Sequence, residues 1–168
     1  MVYESIVVCG HYMRKERCYM KKIWGIAVAI AIFLAGCQNS AKEIDAAALA
    51  GSLVNEITYE DKLESVDADT ISMYIEVPEN TEAIMYMGSG STAEEVAVFT
   101  SKDAETAGET LKKVQEHLDD QTASFKAYKA EEAKRVEDAV LKQEGKYVIL
   151  CVSGDTDKAN EIIEKAFK

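Results

Sequence analysis

The sequence predicts an α+β fold: an N-terminal helix followed by ββαββα, with a mostly antiparallel four-stranded sheet and the helices packed on one face. Two observations favour this class. Apolar residues recur at helical spacing over about 42–57, and pairs of strand-like segments occur twice, each followed by an aspartate and a helical repeat. The length of 168 residues is sufficient for one such domain.

The first predicted element is a helix over about 42–57. Its apolar stripe consists of Ile44, Ala47, Ala48, Leu49, Leu53, Val54 and Ile57. Asp45 lies in the first turn, where the helix dipole favours a negative charge. Further along, residues 70–77 fit one helical turn followed by extended chain, and Pro78 ends that segment.

The first strand–strand–helix unit begins with two predicted strands, Glu82–Met87 and Glu94–Ser101. They are joined by the loop 88–92, which contains two glycines and two serines. Asp103 is predicted to cap a long helix that runs to about Tyr128, because apolar residues repeat at helical spacing after it.

The second unit has predicted strands at Val136–Lys142 and Lys146–Val152, joined by residues 143–145. Asp155 is predicted to cap the closing helix. The two units align at an offset of 52 residues, so that Asp103 corresponds to Asp155. An ancient duplication and the general similarity of any strand followed by a capped helix explain this alignment equally well.

The segment 20–36 has the organisation of an export signal. Two lysines follow Met20, and 13 uncharged residues then run from Ile23 to Ala35. This apolar stretch is too short to cross a bilayer, which requires about 20 residues. We therefore expect the segment to be recognised during export and removed.

The end of this segment, Leu34-Ala35-Gly36 followed by Cys37, resembles a bacterial lipobox. The resemblance implies that the Cys37 thiol receives diacylglycerol and that cleavage occurs between Gly36 and Cys37. The chemistry needs a thiol because a thiolate is a good nucleophile toward the lipid donor. Two or three acyl chains would anchor the protein stably. The alternative is an ordinary signal peptide that is followed by an accidental cysteine.

This interpretation divides the chain into four segments. Residues 1–19 are expected to be an upstream mis-start, with the true start at Met20; residues 20–36 are the lipoprotein signal peptide. Residues 37–42 form a lipidated tether, and 43–168 form a single α+β domain. The expected location is the extracytoplasmic face of the cell membrane.

The charge distribution argues against nucleic-acid binding. The chain has 19 basic and 30 acidic residues, and five of the basic residues but only two of the acidic ones precede Cys37. The remainder therefore carries 14 basic and 28 acidic residues, a formal net charge of −14. Such a surface repels phosphate backbones and favours solubility.

The motifs predict no catalytic, cofactor or metal site. His117 lies outside the apolar stripe of its helix and is interpreted as a solvated surface residue without a metal-ligand partner. The loop 88–92 lacks the lysine and the spacing of a phosphate-binding loop, so it is interpreted as a hairpin loop. Cys151 lies in an apolar run and is interpreted as a small buried hydrophobic residue.

Five motifs taken together resemble one protein family. They are the hairpin at Gly88, the segment Ala93–Phe99, Asp103 before a long helix, the helix ending Gln121, Phe125 and Tyr128, and Gly145–Val148. Over about 40–167 the chain resembles a family of uncharacterised bacterial lipoproteins, the domain of unknown function numbered 4358. The resemblance implies a lipid-anchored extracytoplasmic domain and supplies no activity, ligand or catalytic residues. Many members have proline where this chain has Ala130.

The expected function is that of a non-enzymatic lipoprotein, anchored through Cys37, that binds an envelope protein or a wall component. The alternative is a lipoprotein that binds a small ligand or cation in a pocket between the sheet and the helices. An enzyme is disfavoured because the sequence contains no recognisable catalytic set, and no cofactor is expected. The oligomeric state stays open.

Overall fold

The computed structural model describes residues 42–168, which form five helices and five strands. In chain order these are α1 (Ala46–Glu56), β1 (Glu64–Val66), α2 (Ala68–Tyr74), β2 (Thr81–Met87), β3 (Glu95–Ser101), α3 (Ala104–Lys126), α4 (Ala130–Glu137), β4 (Val140–Glu144), β5 (Tyr147–Val152) and α5 (Thr156–Phe167). The proposed mis-start 1–19, the signal peptide 20–36, the lipidation site Cys37 and nearly all of the tether 37–42 lie outside the described residues.

The sheet confirms the α+β class but has five strands, so the four-stranded prediction is wrong. The strand order is β1-β2-β3-β5-β4, and every neighbouring pair is antiparallel. The additional strand is β1, in which Glu64 lies opposite Met87 at the end of β2. A strand of three residues is too short to show an alternating pattern in the sequence, so periodicity could not predict β1. The strand forms by pairing with the edge of β2.

Helices cover both faces of the sheet, which corrects the prediction that they pack on one face. Helices α1 and α5 contact one face, called the α1 face, and α2, α3 and α4 contact the other, called the α3 face. In β3, Val96 and Val98 point to the α1 face, whereas Ala97 and Phe99 point to the α3 face. Strands β3 and β5 are apolar on both sides, and such strands require cover on both faces.

The second predicted unit is corrected at its start. Val136 does not begin a strand; it lies in α4, and β4 begins at Val140. Helix α4 has acidic residues in its first turn and basic residues in its last turn, an arrangement that complements the helix dipole. Strand β4 continues to Glu144, and a two-residue turn at Gly145 and Lys146 leads into β5. The positive φ of Gly145, 59°, fits a tight hairpin turn.

The predicted helix caps are confirmed. The carboxylate of Asp103 accepts a hydrogen bond from Thr106 N at 2.8 Å, and Asp155 accepts one from Lys158 N at 2.9 Å. Each bond satisfies an N–H group that has no partner within its helix. The two capped helices, α3 and α5, therefore begin at defined positions on opposite faces of the sheet.

Truncating Leu53 tests whether α1 contributes to the core. This side chain is fully buried on the α1 face, so Leu53→Ala is expected to lower the free energy of unfolding by about 2–5 kcal/mol. The exposed Glu56→Ala on the same helix serves as the control and should change stability by less than about 0.5 kcal/mol. Urea unfolding measures both, and equal effects would contradict a packed α1.

Candidate functional site

Three glutamates are buried at one end of the sheet, where β3 begins. Glu94 is 3% exposed, and Glu95 and Glu132 are each 1% exposed. These three side chains are called the glutamate cluster below. Because a buried carboxylate is costly unless hydrogen bonds or opposite charges satisfy it, the partners of each one define the local structure.

Glu94 holds the loop that follows α1. Its carboxylate accepts hydrogen bonds from Glu60 N at 3.0 Å and Asp61 N at 2.9 Å, and from the Thr92 hydroxyl at 3.2 Å. The loop backbone thus finds acceptors in a side chain rather than in another strand. The contact joins the α1 face to the start of β3.

Arg135 on α4 is the cation at the centre of this arrangement. Its Nη1 lies 2.6 Å from Glu94 Oε1 at an angle outside hydrogen-bond geometry, so the contact is an ion pair. Its Nη2 pairs with Glu60, and its Nε lies 3.6 Å from Glu132. Burial lowers the pKa of Arg135, but the bond to Glu60 and the three carboxylate charges raise it overall. The guanidinium therefore stays charged.

Glu132 holds the backbone of Ala93, the residue just before Glu94. Its carboxylate accepts a hydrogen bond from Ala93 N at 2.9 Å and lies 3.3 Å from Lys129 Nζ. Lys129 Nζ in turn donates to the Ser91 carbonyl at 2.9 Å. Helix α4 is thereby fastened to the loop 88–92.

The loop 88–92 is a hairpin loop between β2 and β3, as the sequence predicts. Asp61 accepts hydrogen bonds from Ser89 N at 2.6 Å and from Ser89 Oγ at 2.5 Å, and these bonds lower its pKa. A Cβ atom at Gly88 would lie 2.9 Å from Asp61 Oδ2, which explains the glycine at this position. The loop is thus held in one conformation by two other segments.

His117 is buried, so its interpretation as a surface residue is wrong. The residue is 8% exposed, and its Nε2 lies 2.9 Å from Glu95 Oε1. Gln121 Nε2 lies 3.5 Å from the other oxygen of Glu95, and the Tyr74 ring meets the imidazole edge-on at 6.2 Å. In the sequence, the spacing of His117 from Val114 and Gln121 already fits one helix face.

Burial and charge have opposite effects on the protonation of His117. Burial lowers the pKa of His117, but the hydrogen bond to Glu95 and the charges of Glu95 and Asp120 raise it above its ordinary value overall. The imidazolium and the Glu95 carboxylate therefore form a buried ion pair that joins α3 to β3.

Cys151 is buried on the α1 face, in agreement with the sequence interpretation. Its sulfur lies 3.6 Å from the Tyr59 hydroxyl. Burial raises the pKa of the Cys151 thiol, which keeps the sulfur protonated and makes it a poor nucleophile.

Within residues 42–168, no three His, Cys, Asp or Glu side chains are placed to hold a metal ion together. In the same part of the chain, no helix combines the length and apolarity needed to cross a membrane. Several surface grooves are present in this region, and two of them lie against the helices. One, of about 430 Å³, lies between α1 and α5, and the other, of about 500 Å³, lies beside α3, α4 and β4.

A family model described as a domain of unknown function, DUF4358, matches residues 56–153. The chain belongs to this family. No curated protein and no solved structure matches the chain. The span matched to DUF4358 contains all five strands and the whole glutamate cluster. Nearly all of α1 and all of α5 lie outside the match.

Removal of Arg135 should leave Glu94 buried without a cation and Glu132 with Lys129 alone. Arg135→Ala is therefore expected to lower the free energy of unfolding by about 3–5 kcal/mol. Its neighbour Lys134 forms an exposed pair with Asp138, so Lys134→Ala should cost less than about 1 kcal/mol. Urea unfolding of both variants measures the difference, and similar losses would argue against a structural role for Arg135.

The Glu95–His117 pair should make stability depend on pH. Because the pKa of His117 is raised on folding, its contribution is complete below the unfolded value of about 6.5 and is lost as pH rises through the folded value. His117→Gln keeps a polar side chain but cannot be protonated. Its destabilisation relative to the native protein should be larger at about pH 5.5 than at about pH 8.5 in urea titrations. A difference independent of pH would exclude this ion pair.

Proposed function

We propose that this protein is an exported bacterial lipoprotein, held on the extracytoplasmic face of the cell membrane by lipid on Cys37, and that its domain is a non-enzymatic module that binds another envelope component. The observation that carries the proposal is the sequence from Met20 to Cys37, in which a basic start, a short apolar stretch and Leu34-Ala35-Gly36 precede the cysteine. The partner is a protein or a wall component.

The short distance between Cys37 and the folded domain supports this proposal. Glu43 already belongs to the fold, because its carboxylate accepts a hydrogen bond from the Tyr147 hydroxyl and pairs with Lys146 Nζ, both at 2.8 Å. The tether 37–42 has six residues and spans at most about 20 Å when extended. A lipid on Cys37 would keep the start of β5 near the bilayer.

The glutamate cluster would then face away from the membrane. Tyr147 is the first residue of β5, and Val152, its last, lies opposite Glu95. Five residue steps along a strand cover about 17 Å. The loops held by Arg135, Glu94 and Asp61 thus lie at the end remote from the tether, and their fixed conformation suits the binding of a partner without a large entropy loss.

Metabolic labelling with a radioactive fatty acid tests the anchor. The native protein should incorporate label and sediment with membranes, whereas Cys37→Ser should take up no label and should not be processed. The reason is that a hydroxyl cannot replace the thiol in the transfer of diacylglycerol.

Cys151 supplies a matched control for this experiment. Cys151→Ser removes the buried thiol of β5 and leaves Cys37 in place. This variant should be labelled as strongly as the native protein. Undiminished labelling of Cys37→Ser, or no labelling of the native protein, would refute the proposed anchor.

A further inference from the structure

Strand β4 is an edge of the sheet with an unused row of backbone groups. The turn at Gly145 and Lys146 makes Glu144 and Tyr147 a hydrogen-bonded pair, and such pairs alternate along an antiparallel ladder. The N–H and C=O groups of Leu141 and Gln143 therefore point away from β5. Among residues 42–168, none of these four groups takes part in a hydrogen bond.

The groove of about 500 Å³ lies directly beside this edge. Residues of α3, α4 and β4 form its apolar part, which consists of Leu118, Ala123, Val136, Ala139 and Leu141. Leu141 belongs to the α3 face, so a residue hydrogen-bonded to it from an added strand would point its side chain into the groove. The edge and the groove thus fit alternate residues of one extended chain.

The charges around the groove favour a positively charged peptide over a negatively charged one. On the rim of the groove, Lys126 is neutralised by Glu137 at 2.6 Å, whereas the Asp119 carboxylate accepts only the neutral side chain of Gln115 at 2.9 Å. Residues 42–168 carry 14 basic and 28 acidic side chains, a formal net charge of −14. A second copy of this chain would be repelled by that charge, whereas a cationic segment would be attracted.

We propose that the β4 edge and its groove bind an extended, positively charged peptide segment of a partner protein, which adds to the sheet as a sixth strand. Main-chain hydrogen bonds to Leu141 and Gln143 would supply affinity, and an apolar side chain in the groove would supply specificity. This proposal rests on the proposed function as a binding module; it adds a surface separate from the loops of the glutamate cluster and names the chemistry of the segment that binds there.

A labelled peptide of alternating lysine and valine tests the proposal, with the full chain purified in mild detergent. Fluorescence anisotropy should show saturable binding that weakens as salt is raised. A peptide of alternating glutamate and valine should not bind, because its charge has the same sign as that of the domain.

Substitutions at Gln143 distinguish the contribution of its backbone N–H to peptide binding from that of its side chain. Gln143→Pro removes an N–H group that points outward and takes no part in the ladder with β5, so it should weaken the lysine–valine peptide about tenfold or more. Gln143→Ala removes the side-chain bonds to the Ala104 and Gly145 carbonyls but keeps the N–H, and it should bind like the native protein. Circular dichroism checks that both variants fold.

A variant of the groove keeps the test decisive if Gln143→Pro fails to fold. Thr122→Arg places a bulky cation on the rim of the groove, away from the strand, and should also weaken the peptide. Native-like binding by a folded Gln143→Pro or by Thr122→Arg would overturn the proposal. So would a dimer of the free protein that Gln143→Pro dissociates, because a second copy would then occupy the edge. Peptide binding in detergent tests the β4 edge, and fatty-acid labelling tests the anchor on Cys37. The two experiments are independent, so failure of one proposal can be told from failure of the other.

Discussion

The charge balance around Arg135 is the interaction on which this end of the domain depends. One guanidinium is shared by Glu94, Glu132 and Glu60, which come from the start of β3, from α4 and from the loop after α1. Buried ion pairs contribute modest net stability compared with apolar packing, but the loss of one partner is strongly destabilising. Such a network selects one arrangement of the three segments, because any other would leave the buried carboxylates of Glu94 and Glu132 without this cation.

The two central strands determine the rest of the architecture. Every residue of β5 is buried, and β3 is buried along nearly its whole length, so each strand needs apolar cover above and below. Helices α1 and α5 provide that cover on one side, and α3, with α2 and α4, provides it on the other. The edge strands β1 and β4 keep part of their surface in solvent.

Local patterns predicted more of this structure than distant contacts did. Strands β2, β3 and β5 and the caps Asp103 and Asp155 follow from periodicity and from hydrogen bonds within four residues. Burial of the glutamate cluster was not predicted, because Glu94 finds its partners 34 residues upstream and Glu132 finds Ala93 39 residues away. His117 was misjudged for the same reason: its spacing fits a buried helix face, but its partner, Glu95, lies on another element. The unbroken apolar run of β5 indicates that both of its faces are covered by helices. The prediction that the helices pack on one face does not take this run into account.

Tyr147 connects the first and last parts of the domain. Its hydroxyl bonds to Glu43 and Ile44, while its ring meets Phe167 edge-on at 5.8 Å, so segments more than 120 residues apart in the chain meet on one side chain. The α1 face therefore cannot close completely until Phe167 has been synthesised. A nascent chain with such long-range closure folds late. If the chain is exported as proposed, late folding would keep it unfolded while it passes through a secretion channel.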